Sequence, residues 1–102
     1  MTRIEVAQSA RADLLDIERH LRREAGESRT KAVLRRIRDR IDRLQEFPEL
    51  GVEREDFGGR RVLQCRPYIA IYRLRHIDAE TLVTILRIVH GARDIPTLLE
   101  GA

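Results

Sequence analysis

Cysteine occurs once in the 102-residue chain, at Cys65, so no internal disulfide can form, and no Cys/His cluster has metal-ligand spacing. No apolar run approaches the ~18 residues that cross a bilayer. The N-terminal stretch Met-Thr-Arg-Ile-Glu-Val-Ala holds no apolar signal-peptide core. The expectation is therefore a single cytoplasmic domain spanning 1–102, with no membrane contact, no metal and no cofactor. Aromatic residues make up only 4%, and a core with so few rings is expected to leave a groove flanked by exposed apolar side chains. Lysine is also scarce. Of the 20 basic residues only Lys31 is a lysine.

What the chain does have is arginine, whose planar guanidinium donates in pairs to carboxylates and phosphates. The charge is unevenly spread. Residues 57–94 hold Arg60, Arg61, Arg66, Arg73, Arg75, Arg87 and Arg93 against Asp78, Glu80 and Asp94, whereas 48–56 hold Arg54 against Glu49, Glu53, Glu55 and Asp56. A basic half behind an acidic connector suits an anionic partner.

The pattern along the chain reads in order. Arg3–Val6 alternates as a strand. Ser9 is the expected N-cap of a first helix, with Asp13 in its first turn and Ala10, Leu14, Ile17 and Leu21 on one face. Ala25–Ser28 is the expected break. A second helix is predicted from about Arg29 to Phe47, with Leu34, Ile37, Ile41, Leu44 and Phe47 as its stripe, Val33 widening it, and Arg36, Arg40 and Arg43 opposite. Pro48 stops it. After a connector ending in Gly58-Gly59 come three strand-like runs, Arg61–Cys65, Tyr68–Leu74 and Thr81–Val89, with Arg75–Glu80 as the turn between the last two. The order is β-α-α-β-β-β, an α+β fold in which an N-terminal helical hairpin packs on a twisted antiparallel sheet. The first strand is expected to pair near Thr81–Val89, and the tail from Ile95 to form one helical turn.

Several of these anchors, at their spacings, resemble the RelE/ParE superfamily of type II toxin–antitoxin toxins. They are Ser9 with Ala12-Asp13-Leu14, Phe47-Pro48-Glu49-Leu50-Gly51, Gly59-Arg60-Arg61, Tyr68-Ile69-Ala70-Ile71-Tyr72, and Arg87-Ile88-Val89-His90-Gly91-Ala92-Arg93-Asp94. The last, a strand closing on Val-His-Gly-x-Arg-Asp, is similar to the ParE (plasmid stabilisation) branch. The resemblance implies a growth-inhibiting cytoplasmic toxin held in a hetero-oligomer by a cognate ParD-like antitoxin with an acidic C-terminal segment. It further implies DNA gyrase as the target, reached by docking rather than by catalysis.

Two alternatives stay open at this point. One is a RelE-like endonuclease that cleaves mRNA on the ribosome. Such chemistry needs an acid/base and positive charge at the reacting phosphate, for which Arg61, Arg66, Arg87, Arg93 and His90 are the available groups, with Tyr68 and Tyr72 to stack or donate. If strand alternation holds, Arg61 and Arg87 sit on the sheet face away from the helices. Against this reading, active RelE-like members carry a basic residue after the first tyrosine of the Tyr-x-x-x-Tyr strand, where this chain has Ile69. The other alternative is a non-toxic antitoxin-binding module. No catalytic residue is therefore assigned. The candidates for target or antitoxin binding are Arg60, Arg61, Arg66, Tyr68, Arg87, His90 and Arg93. Cys65 reads as a small buried apolar residue rather than a nucleophile.

Overall fold

The computed structural model describes residues 1–91. The expected roles of Arg93 and of the Ile95–Ala102 turn lie outside the described residues. The elements are β1 (Thr2–Val6), α1 (Gln8–Asp42), β2 (Val52–Arg54), β3 (Arg60–Cys65), β4 (Tyr68–Ile77) and β5 (Glu80–His90). Short 3-10 turns cover Arg43–Gln45 and Glu55–Phe57.

The helical hairpin is one segment folded back on itself at a single residue. Gly26 has φ 84 and ψ 171, and is the non-helical residue inside α1. An unbroken helix of 35 residues would run about 52 Å, longer than the 44 Å maximum dimension of the molecule. Leu14 and Leu15 of the first arm line the same cavity as Leu34 and Ile37 of the second, as only a reversal permits. The break is thus narrower than the four residues expected. Glycine supplies the left-handed φ at no steric penalty, and the buried Thr30 hydroxyl donates to the Gly26 carbonyl at 2.7 Å.

Ser9 is not the cap. Helix begins at Gln8, Ala7 holds the N-cap position without a side-chain bond, and Arg11 N–H donates to the Ala7 carbonyl at 3.0 Å. The apolar stripes fall as their spacing predicts, with Ala10, Ile17, Val33, Ile37, Ile41 and Leu44 buried against the sheet. Phe47 departs from its stripe and is 49% exposed. Regular helix has ended at Asp42 and the 3-10 turn at Gln45, so helical spacing no longer places Phe47 beneath Leu44. Arg43 lies over its ring instead, 5.2 Å from the centroid.

The five strands are ordered β1-β5-β4-β3-β2. β1 pairs with β5, near Thr81–Val89 as expected, but in parallel, from Thr2↔Thr81 to Val6↔Ile85. The sheet is therefore mixed rather than antiparallel throughout. No tight turn joins β1 to β5, and the long connection through α1 leaves the strand free to enter in either direction. β2 adds an edge strand within what reads as connector. β4 also runs on to Ile77, so the β4–β5 turn is Asp78-Ala79 alone, with Asp78 at φ 56.

Alternation along β3 and β4 gives the sheet two buried faces. Leu63, Cys65, Tyr68, Ala70 and Tyr72 meet α1. Val62, Ile69 and Ile71 join Phe57 and Val89 on the other side. In β5 the register slips between Ile71↔Arg87 and Tyr72↔Ile85, leaving Leu86 unpaired. Without this bulge Arg87 would share the helix face with Val83 and Ile85; with it, Arg87 stands opposite Ile71 on the face away from the helices, as expected from the sequence, and its guanidinium reaches Asp13 beyond the end of β1.

Candidate binding surfaces

The candidate residues separate into two groups at opposite ends of β4. Tyr68, Arg87 and His90 line a cavity of about 300 Å³ together with Asp13, Asp16 and His20. Arg60 and Arg61 line another of about 320 Å³ with Glu53, Arg73 and His76. Tyr68 and His76 are eight residues apart on one strand, roughly 26 Å at the usual rise. Arg66 stands exposed at the β3–β4 turn, where its carbonyl accepts from Arg36 Nη1 at 3.1 Å. Arg40 Nε donates in the same way to the Gln64 carbonyl at 3.0 Å, so two of the helix arginines brace β3 rather than face solvent alone.

Arg87 is built into the fold. Its Nε and Nη2 donate to Asp13 Oδ2 and Oδ1 at 2.8 and 3.0 Å, and the Ile88 amide donates to Asp13 Oδ2 at 2.9 Å. The two side chains are 20% and 13% exposed. β1 pairs with β5 only as far as Ile85, and Asp13 takes up the ladder beyond it. The hydrogen bond it donates to Asp13 holds the Arg87 guanidinium above its ordinary pKa against the opposing effect of burial.

The Tyr68 and His90 rings meet edge-on, centroids 5.7 Å apart. Burial raises the Tyr68 phenol above its usual pKa. Ile69, the residue in place of a basic side chain, is buried in the second core. Cys65 is buried as expected, and burial pushes its thiol up to about 11.

Arg61 is also engaged, donating from Nη1 to the Gly51 carbonyl at 2.7 Å and the Glu49 carbonyl at 3.3 Å. It does not project from the face opposite the helices. Arg60 Nη1 donates to the Phe57 carbonyl at 3.1 Å, while its Nε is buried without a partner among the described residues.

A third feature is larger. A groove of about 920 Å³ runs between β1 and the two arms of α1. Its floor is apolar, with Ile4, Val6, Leu14 and Leu34 only half-buried and Leu15 53% exposed. Arg3, Arg11 and Arg38 stand on its rim with Glu18 and Asp42. A strip of half-covered aliphatic side chains edged by guanidinium groups suits an amphipathic helix carrying carboxylates. Composition pointed to such a groove, but no single motif located it. Among the described residues no group of His, Cys, Asp and Glu is arranged to hold a metal ion, and no helix is long and apolar enough to cross a membrane.

A two-arm helical layer on a five-strand mixed sheet, with a basic-rimmed apolar groove, is the architecture of a small α+β binding domain. The sequence matches the family model of the ParE toxin of the type II toxin–antitoxin system parDE over residues 4–95, and the chain belongs to that family. The fold agrees. A solved structure described as the chromosomal ParDE toxin–antitoxin system from P. aeruginosa superposes with a TM-score of 0.73 at 25% identity, covering 88% of this chain and 96% of that one. No curated protein matches the sequence. Membership of a type II system implies an antitoxin partner.

Proposed function

We propose that this chain is a cytoplasmic toxin that arrests growth by docking onto DNA gyrase. A ParD-like antitoxin neutralises it by laying an acidic amphipathic segment in the groove between β1 and α1. The observation that carries the reading is the groove itself, an apolar-floored concavity of about 920 Å³ rimmed by Arg3, Arg11 and Arg38. The engagement of Arg87 by Asp13 and of Arg61 by loop carbonyls supports docking over RNA cleavage, since both cations are occupied within the fold. Membership of the ParE toxin family supports gyrase as the target.

One feature favours the ribonuclease alternative: His20, His90 and Tyr68 share a cavity. The Asp13 and Asp16 carboxylates in that cavity oppose a phosphate there.

The test is purified protein assayed twice. Loss of supercoiling by gyrase, with intact mRNA on translating ribosomes, is the expected result. Cleaved mRNA with supercoiling untouched overturns the reading. No growth effect on induction, alongside tight antitoxin binding, identifies the inert module instead.

A further inference from the structure

Six large hydrophobic residues are exposed among the described residues, and three of them, Phe47, Leu50 and Val52, fall within six positions of one another. They run from the end of the helical layer, where the Gln45 side chain donates to the Thr2 carbonyl of β1, into the edge strand β2, which Val52 opens. Their exposures are 49%, 38% and 68%. An exposed apolar loop of this kind is ordinarily free to move. This one is pinned. The Tyr72 hydroxyl, carried on a fully buried ring, accepts from the Gly51 amide at 2.8 Å and donates to the Pro48 carbonyl at 2.7 Å. Arg61 holds the Glu49 and Gly51 carbonyls from the other side. Gly51 itself packs so closely that a Cβ there would stand 2.6 Å from the Tyr72 ring. The fold thus spends a buried tyrosine and an arginine on holding apolar side chains rigidly in water, an arrangement suited to binding because the ordering has been done before the partner arrives.

The charge around these side chains is opposite to that of the whole molecule. Residues 46–56 carry Glu46, Glu49, Glu53, Glu55 and Asp56 against Arg54 alone, in a chain of net charge +3. Arg54 is paired with Asp56, and Arg61 approaches Glu53 at 3.8 Å. Glu46, Glu49 and Glu55 have no ion-pair partner among the described residues. Even with Arg43 over Phe47 and Arg61 on the loop carbonyls, five acidic residues in this exposed apolar segment disfavour an acidic antitoxin segment and nucleic acid. The segment fits a protein surface that is both basic and apolar.

We propose that the Phe47–Val52 loop, with the acidic residues around it, is the docking surface for the toxin's target. In this assignment the target's complementary surface is a cationic one that ordinarily contacts DNA, since enzymes that hold DNA gather lysine and arginine where the phosphates lie. The proposal rests on the gyrase reading above and gives it a location. The antitoxin groove lies beside β1 and the loop ends in β2, the opposite edge strand, with Leu50 and Val52 outside the groove lining.

Two variants test it, both at exposed positions: Leu50→Ser with Val52→Ser, and Glu49→Lys with Glu55→Lys. Each is compared with wild type in gyrase supercoiling inhibition and in affinity for the full-length antitoxin encoded beside the toxin, after circular dichroism has shown native folding. The expected result is inhibition weakened by roughly tenfold or more, with antitoxin affinity within about twofold of wild type. Inhibition unchanged in both folded variants overturns the proposal, as does a parallel loss of antitoxin affinity. If wild type leaves gyrase untouched, the gyrase reading fails by itself. The surface is then judged by growth arrest on induction: arrest abolished with antitoxin binding intact upholds a docking role, and arrest unchanged overturns it.

Discussion

Asp13, in the second turn of α1, clamps Arg87 across 74 residues of sequence and satisfies the amide of Ile88 with the same carboxylate. One side chain thereby seals the edge of β5 where β1 stops, and ties the start of the helical layer to the end of the sheet. Asp13→Asn removes the charge while keeping the shape. It is expected to lower stability by about 2 kcal/mol, the range for a hydrogen bond to a charged group. A urea titration checks this, as a lower midpoint at unchanged slope. Coincident midpoints would mean that the clamp contributes nothing.

The Tyr72 hydroxyl is the second structural polar group with a measurable share. Tyr72→Phe leaves the Gly51 amide and the Pro48 carbonyl without their partner and is expected to destabilise by roughly 1–3 kcal/mol. Gly51→Ala should destabilise as well, because its Cβ overlaps the same ring and the neighbour is a buried side chain with nowhere to move. Thermal unfolding of both variants, monitored by circular dichroism, decides the matter. A melting temperature equal to wild type in Tyr72→Phe would contradict the role given to the phenol.

Leu15 separates packing from recognition. It is 53% exposed on the groove, so Leu15→Glu is expected to change stability by no more than about 0.5 kcal/mol. The same substitution places a carboxylate where an acidic segment must lie, and antitoxin affinity is expected to fall roughly tenfold or more. Isothermal titration calorimetry gives the comparison, and an unchanged affinity would remove the groove as the antitoxin site.

Cys65 provides a pH-dependent readout. Its folded pKa, raised to about 11 by burial, exceeds that of a free thiol, about 8.5. The folded chain thus holds this proton more tightly than the unfolded chain does. The associated stability is fully present below about pH 8.5 and is lost as pH rises towards 11. At pH 8, iodoacetamide should modify the native protein at least roughly 100-fold more slowly than a free thiol, from the thiolate fraction alone. Mass spectrometry over time follows the reaction, and rapid native labelling would show Cys65 to be accessible.

The sequence carried the helical layer because its signal is local. Leu14, Ile17, Ile37, Ile41 and Leu44 repeat at three and four residues, and any chain with that repeat gains by folding the stripe against a second apolar face. The Tyr68–Tyr72 and Thr81–Val89 runs were legible for the same reason. Legibility ended where structure depends on a distant partner. Nothing near Asp13 marks it as the ligand of Arg87, and Ser9 was the more obvious capping residue. The unpaired Leu86 is hidden in a nearly all-apolar run, where a slip of register leaves no trace in composition. β2 is three exposed residues inside an acidic connector, too short for alternation to be read. The binding candidates rest on residue type, yet a guanidinium that braces the fold has the same letter as one that awaits a ligand. Arg61 and Arg87 proved to be of the first kind.

The parallel pairing of β1 with β5 also orders events in time. β1 is synthesised long before the strand it pairs with, so one wall of the groove stays unmade until β5 has followed. A polypeptide released early, before β5, would have no cleft for an inhibitor to enter.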